Sequence, residues 1–167
     1  MEILFKLNNN IDNIVIVGRT NVGKSTLFNT LIGKKEAITG NELSLTRDYQ
    51  ICKCVINDLE FNLVDTAGYN SRKNYLNNKF NQQIKNQIEK ARMVFFVVDS
   101  STNITSEDKE CWNIIRKSGK ETILLANKSE LKESSNYIYQ LDELGFHDYI
   151  KITALNKNSL YPLYQIL

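Results

Sequence analysis

Short apolar, β-branched runs alternate along the chain with stretches of helical periodicity. Asn13-Ile14-Val15-Ile16-Val17-Gly18 has no polar face, the pattern of a strand buried on both sides in a parallel sheet. Lys24 to Ile32 puts Leu27, Phe28, Leu31 and Ile32 at helical spacing and stops before Gly33. Residues 33 to 48 are polar without a period and read as a loop. Tyr49 to Ile56 and Glu60 to Val64 read as strands joined by a hairpin-like turn at Asn57-Asp58. Asn74 to Arg92 reads as a polar helix and Met93 to Asp99 as a strand. Ser106 to Lys117 is a helix with Ser106 as its expected cap, followed by a strand from Thr122 to Asn127. Ser135 to Leu144 is a helix closed by Gly145, Tyr149 to Thr153 is the last strand, and Ser159 to Leu167 begins a final helix that reads as cut short.

Strands alternating with helices predict an α/β fold of three layers: a mostly parallel, six-stranded sheet with helices on both faces. In such sheets ligands bind beyond the carboxyl ends of the strands. A length of 167 residues fits one domain, and 42% apolar with 24% charged residues excludes disorder for most of it. The net charge of +2 excludes a polybasic protein. The longest apolar run, Met93 to Val98, is far below the roughly 18 residues of a membrane helix, so no membrane association is expected. The N-terminus starts acidic and is broken at Lys6, unlike a signal peptide. Cys52, Cys54 and Cys111 are too few and odd in number for a disulfide scaffold, and Cys52 and Cys54 read as core or half-exposed thiols. The expected compartment is a reducing cytoplasm.

Four motifs follow predicted strands. Gly18-Arg19-Thr20-Asn21-Val22-Gly23-Lys24-Ser25 has two glycines, four spacers, Lys and Ser. Glycines let the backbone close around a phosphate, and the amides then point inward with the next helix N-terminus. Lys24 can reach the terminal phosphates, and the Ser25 hydroxyl can ligate Mg²⁺. Asp65-Thr66-Ala67-Gly68 follows the strand ending at Val64. There Asp65 can hold Mg²⁺ through water, and the Gly68 amide can meet a γ-phosphate. Asn127-Lys128-Ser129-Glu130 places a carboxylate where it can accept from the N1 and N2 donors of guanine, which adenine lacks. Ile152-Thr153-Ala154 can offer a backbone amide to the guanine oxygen. In this order the motifs predict a GTPase of the P-loop NTPase, small-GTPase-like fold, with GTP or GDP as ligand.

Gly18 to Asn29, Thr46-Arg47-Asp48, Phe96-Val97-Val98-Asp99, Arg116 to Lys120 and Leu144-Gly145-Phe146 closely resemble the first GTPase domain of the Der, or EngA, family. The resemblance runs from about Asn13 onward. It implies a single domain over 1–167 that corresponds to the N-terminal GTPase domain of a longer protein. That protein carries two such domains and a KH-like RNA-binding domain and acts in large-subunit ribosome assembly. The implied partners are therefore the large subunit and rRNA, reached through the longer protein, with the domain itself monomeric. Carried over position by position, Gly18, Arg19, Thr20, Asn21, Val22, Gly23, Lys24, Ser25 and Thr26 would cradle the phosphates. Ser25 and Thr46 would ligate Mg²⁺, with Asp65 behind them, and Gly68 would sense the γ-phosphate. Lys24, Thr46 and Gly68 would serve catalysis. Asn127, Lys128 and Glu130 would hold the base, supported by Thr153 and Ala154. Asn21 matches an asparagine that helps coordinate K⁺ in related GTPases; the lesser alternative is a turn residue.

The sequence departs from that family at three places. Glu130 stands where members usually have Asp, Leu43-Ser44 where they usually have Pro-Gly, and Ala67 where they usually have Gly. Tyr69 occupies the place where many GTPases carry a water-orienting Gln. Two alternatives thus stand beside a hydrolysing switch: a nucleotide-holding regulatory module with little hydrolysis, and a tRNA-modification-type GTPase. His147 reads as a loop residue. Lys79, Lys85, Lys90 and Arg92 read first as a solvated helix face and second as an RNA-facing surface.

Overall fold

The computed structural model describes residues 12–33, 44–45, 49–57, 59–66, 78–132 and 136–167. The elements in chain order are β1 (Asp12–Val17), α1 (Lys24–Ile32), β2 (Ser44–Leu45), β3 (Tyr49–Ile56), β4 (Leu59–Thr66), α2 (Asn78–Lys90), β5 (Met93–Asp99), α3 (Ser106–Ser118), β6 (Glu121–Asn127), α4 (Tyr137–Glu143), β7 (Ile150–Lys151), a 3₁₀ turn (Lys157–Leu160) and α5 (Tyr161–Ile166). The sheet order is β2-β3-β4-β1-β5-β6-β7. β4, β1, β5, β6 and β7 run parallel, and β3 pairs antiparallel with β4. This is the P-loop NTPase architecture expected. All six expected strands form, and β2, two residues expected to be loop, adds a seventh at the edge, antiparallel to β3.

Two cores follow from the strand period of two. Ile14 and Ile16 point to one face with Leu27, Phe28 and Leu31 of α1 and Leu163 of α5. Val15 and Val17 point to the other with Ile84 and Ile88 of α2, Ile115 of α3 and Leu141 of α4. Every residue of β5 is buried, which is why its sequence is apolar without alternation. Cys52 and Cys54 both lie in the α1-side core, as their spacing predicts, and Cys111 lies in the other. α2 buries Ile84, Gln87 and Ile88 along one stripe, with Ala91 buried just past its end, and exposes Lys85 and Lys90.

Several boundaries move. α3 is capped by Thr105, not Ser106. The Thr105 hydroxyl accepts from the Asp108 amide, and the Asp108 carboxylate accepts from the Thr105 amide. β7 is only two residues, because it pairs only with Leu125 and Ala126 of β6. The final helix begins as a 3₁₀ turn, capped by Asn156, and becomes α-helical where Pro162 occupies the first turn. The expected helix starts at Asn74 and Ser135 fall outside the described residues.

Candidate functional site

The phosphate loop leaves β1 at the point where the sheet order reverses, between β4 and β5. Gly18 passes so close to β5 that a Cβ there would overlap the Val97 carbonyl oxygen. Asn21 (φ 65°) and Gly23 (φ 98°) are both left-handed, which curls the backbone around a concavity. Gly23, which has no side chain to offer, then caps α1. Lys24, the first residue of α1, is buried, and its Nζ donates to the Arg19 carbonyl at 2.8 Å. Burial lowers its pKa, while the Asp65 carboxylate opposes that shift. The loop thus combines left-handed turns, a helix N-terminus and a desolvated ammonium, a set suited to a polyphosphate.

Asp65 lies near the carboxyl end of β4, beside β1. It is 5% exposed, and its Oδ1 has no hydrogen-bond partner. Burial raises its pKa; a hydrogen bond from Ser25 and the charge of Lys24 lower it by less. A buried carboxylate oxygen without a partner, joined to an accessible serine hydroxyl, fits a hard divalent cation. Thr66 is anchored by its hydroxyl to the Ile16 carbonyl, which fixes this strand end.

The end of β6 closes the other side. Asn127 is buried, its amide donates to the Val22 carbonyl at 2.7 Å, and its Oδ1 accepts from the Ala154 amide at 2.8 Å. One side chain therefore ties the phosphate loop to the loop after β7. Gly23 makes room for it, since a Cβ there would strike the Asn127 amide nitrogen. Lys128 is left-handed (φ 65°), and its Nζ donates to Asp99 Oδ2 at 2.6 Å. Glu130 is exposed, with one oxygen accepting from the Thr153 hydroxyl at 2.8 Å. Ser129 lies 3.2 Å from the same hydroxyl. Glu130 and Thr153 thus face each other across the two loops that follow β6 and β7.

The structure brings together Gly18 to Thr26, Asp65, Asn127, Lys128, Glu130, Thr153 and Ala154 at one sheet edge. Thr46, Gly68, Leu43, Ala67 and Tyr69 lie outside the described residues. Two acidic residues, Asp99 and Asp108, make contacts at the site that no motif assigned. Asp99 binds Lys128 and Ser101, and Asp108 binds the guanidinium of Arg19 at 3.1 Å. An Asp closing an otherwise apolar strand was the available signal for the first. Burial tends to raise the Asp99 pKa, but hydrogen bonds from Lys128 and Ser101 outweigh it and hold the carboxyl below its ordinary value.

The family signature described as 50S ribosome-binding GTPase matches residues 13–128. The chain belongs to that family. It is a GTP-binding GTPase domain resembling Der. It is 40% identical over 142 residues to GTPase Der of Bartonella tribocorum, covering 84% of this chain and 30% of that protein. It is also 40% identical to GTPase Der of Mycoplasmopsis agalactiae, covering 88% of this chain and 33% of that one. The chain therefore spans about a third of the length of these relatives. Among solved structures, an Era variant from Aquifex aeolicus bound to GDP and aluminium fluoride superposes with a TM-score of 0.70 at 24% identity. It covers 94% of this chain and 57% of that one, a likeness of fold. Among the described residues no helix is long and apolar enough to cross a membrane.

Proposed function

We propose that this chain is the nucleotide-operated switch of a ribosome-assembly GTPase of the Der kind. The observation that carries it is the Asn127 side chain, which joins the phosphate loop to the loop bearing Ala154 while Glu130 and Thr153 meet beside it. The amides from Gly18 to Thr26 and the Lys24 ammonium would hold the phosphates. Asn127, Lys128 and Glu130 would hold guanine, with Thr153 orienting the Glu130 carboxylate and Ala154, whose amide donates to Asn127, supporting the base end. Ser25, Thr46 and Asp65 would hold Mg²⁺, which neutralises the phosphates when bound. The orphaned Asp65 oxygen is the support for that assignment. Thr46 and Gly68 would respond to the γ-phosphate, and its loss would release their loops.

Asn21 adds a potassium role to this reading, its left-handed backbone placing it on the exposed rim of the phosphate loop. With Tyr69 in place of a glutamine, hydrolysis is expected to be slow alone and faster in K⁺ than in Na⁺. Single-turnover GTP hydrolysis in matched K⁺ and Na⁺ buffers tests this. Equal rates contradict the potassium role, and no turnover in either salt supports the silent regulatory module instead. The ribosomal role is supported by the match to the 50S ribosome-binding GTPase family; Era, a likeness of fold, has been solved with MgGDPNP and nucleotides 1506–1542 of 16S rRNA. The large subunit is the proposed partner of the longer protein, in the cytoplasm.

A further inference from the structure

We propose that Arg19 is a positioning residue that couples the phosphate end of the nucleotide site to its base end. Its side chain is only 15% exposed and engages three groups away from the loop's own concavity. Nε donates to Asp108 Oδ2 at 3.1 Å, Nη2 donates to the Thr102 hydroxyl at 3.0 Å, and Nη2 also lies 3.9 Å from Asp99 Oδ2. That same Asp99 oxygen takes the Lys128 ammonium at 2.6 Å. One carboxylate oxygen is thus shared by a cation of the phosphate loop and a cation of the base-reading loop. Neither acid is free to swing. Asp99 Oδ1 is held by the Ser101 hydroxyl at 2.6 Å and amide at 3.0 Å. Asp108 is 1% exposed and fixed by the Thr105 amide and hydroxyl in the α3 cap.

Arg19 has a second hold on the site through its backbone, whose carbonyl accepts from Lys24 Nζ. The path from phosphate to base therefore runs Lys24, Arg19, Asp99, Lys128, with the rigid start of α3 as its anchor. A guanidinium suits this place because its planar fork donates from two nitrogens to two separate acceptors at once, which an ammonium on a flexible stem cannot do in fixed geometry. Residues joined through one shared partner respond non-additively to substitution. The inference rests on the guanine-nucleotide reading of the site.

The test is a double-mutant cycle of GDP affinity on the full chain, using Arg19→Ala, Lys128→Ala and the pair. Each single variant is expected to bind GDP about tenfold more weakly than wild type. The pair is expected to be no more than about threefold weaker than Lys128→Ala alone. A pair about a hundredfold weaker than wild type means independent effects and overturns the coupling. Arg19→Lys keeps the charge beside both carboxylates and gives a smaller loss with the same non-additivity. It decides the matter if Arg19→Ala does not fold, additive losses again overturning the coupling. Absence of GDP binding by folded wild type would instead overturn the site reading on which the inference stands.

Discussion

Asp65 pits stability against ligand binding most sharply. Its folded pKa is raised, chiefly by burial, so the native state binds protons more tightly than the unfolded chain does. Stability of the nucleotide-free protein contributed by this group therefore falls as pH rises from the ordinary aspartate value, 3.8, through the folded one. A divalent cation held there would remove the conflict. Wild type saturated with GDP is expected to gain further stability when Mg²⁺ is added at about a hundred times its dissociation constant, about 2.7 kcal/mol or roughly 5 to 10 °C in Tm. Asp65→Asn is expected to be at least as stable as wild type without Mg²⁺ and to gain nothing from it. Calorimetry of both proteins reads this, and an equal Mg²⁺ gain in the variant contradicts the assignment. Lys24→Ala is expected to stay folded and lose GDP binding by at least a hundredfold in a fluorescence titration, because it removes the ammonium that Arg19 steers. Tight binding by that folded variant contradicts the phosphate-loop assignment. The place of both residues at this edge was legible from their motifs together with the strands before them. The hold of Thr153 on Glu130 was not, since it depends on two loops far apart in sequence meeting at one sheet edge.

At the scale of elements, the strands were legible because full burial on both faces demands unbroken apolar runs, as in β1 and β5. Helix ends were less so. Thr105 and Ser106 are both good caps by type, and the choice was made by Asp108, three residues after Thr105, where Ser106 would have had Lys109. β7 was overestimated because apolar content runs past the two residues that find a partner. The junction of β1, α1 and β6 depends on Gly23, whose left-handed φ and missing Cβ admit Asn127. Gly23→Ala is expected to cost about 1–3 kcal/mol in urea unfolding. The same change is expected to weaken GDP binding at least tenfold, because Asn127 must withdraw from Val22. A variant that loses stability but keeps wild-type affinity contradicts the role given to Asn127 as a tie between loops.

Across the whole molecule, chemistry gathers at one edge because the parallel strands all end there and the order reverses at β1. Asp99 and Asn127 are register partners at the ends of β5 and β6, so the residue that holds Lys128 and the residue that holds Val22 emerge side by side. The sheet thereby sets the spacing between the phosphate loop and the loop proposed to read the base, and Thr46 and Gly68 are proposed to report on what lies between. This edge is proposed to read a guanine nucleotide. Its most direct test is a titration of fluorescent GDP in Mg²⁺ buffer, with unlabelled GDP, GTP and ATP as competitors. Displacement by GDP and GTP, with no displacement by ATP at a thousandfold excess, is the result expected from the Glu130 carboxylate facing the guanine donors. Displacement by ATP at concentrations similar to GTP would contradict it.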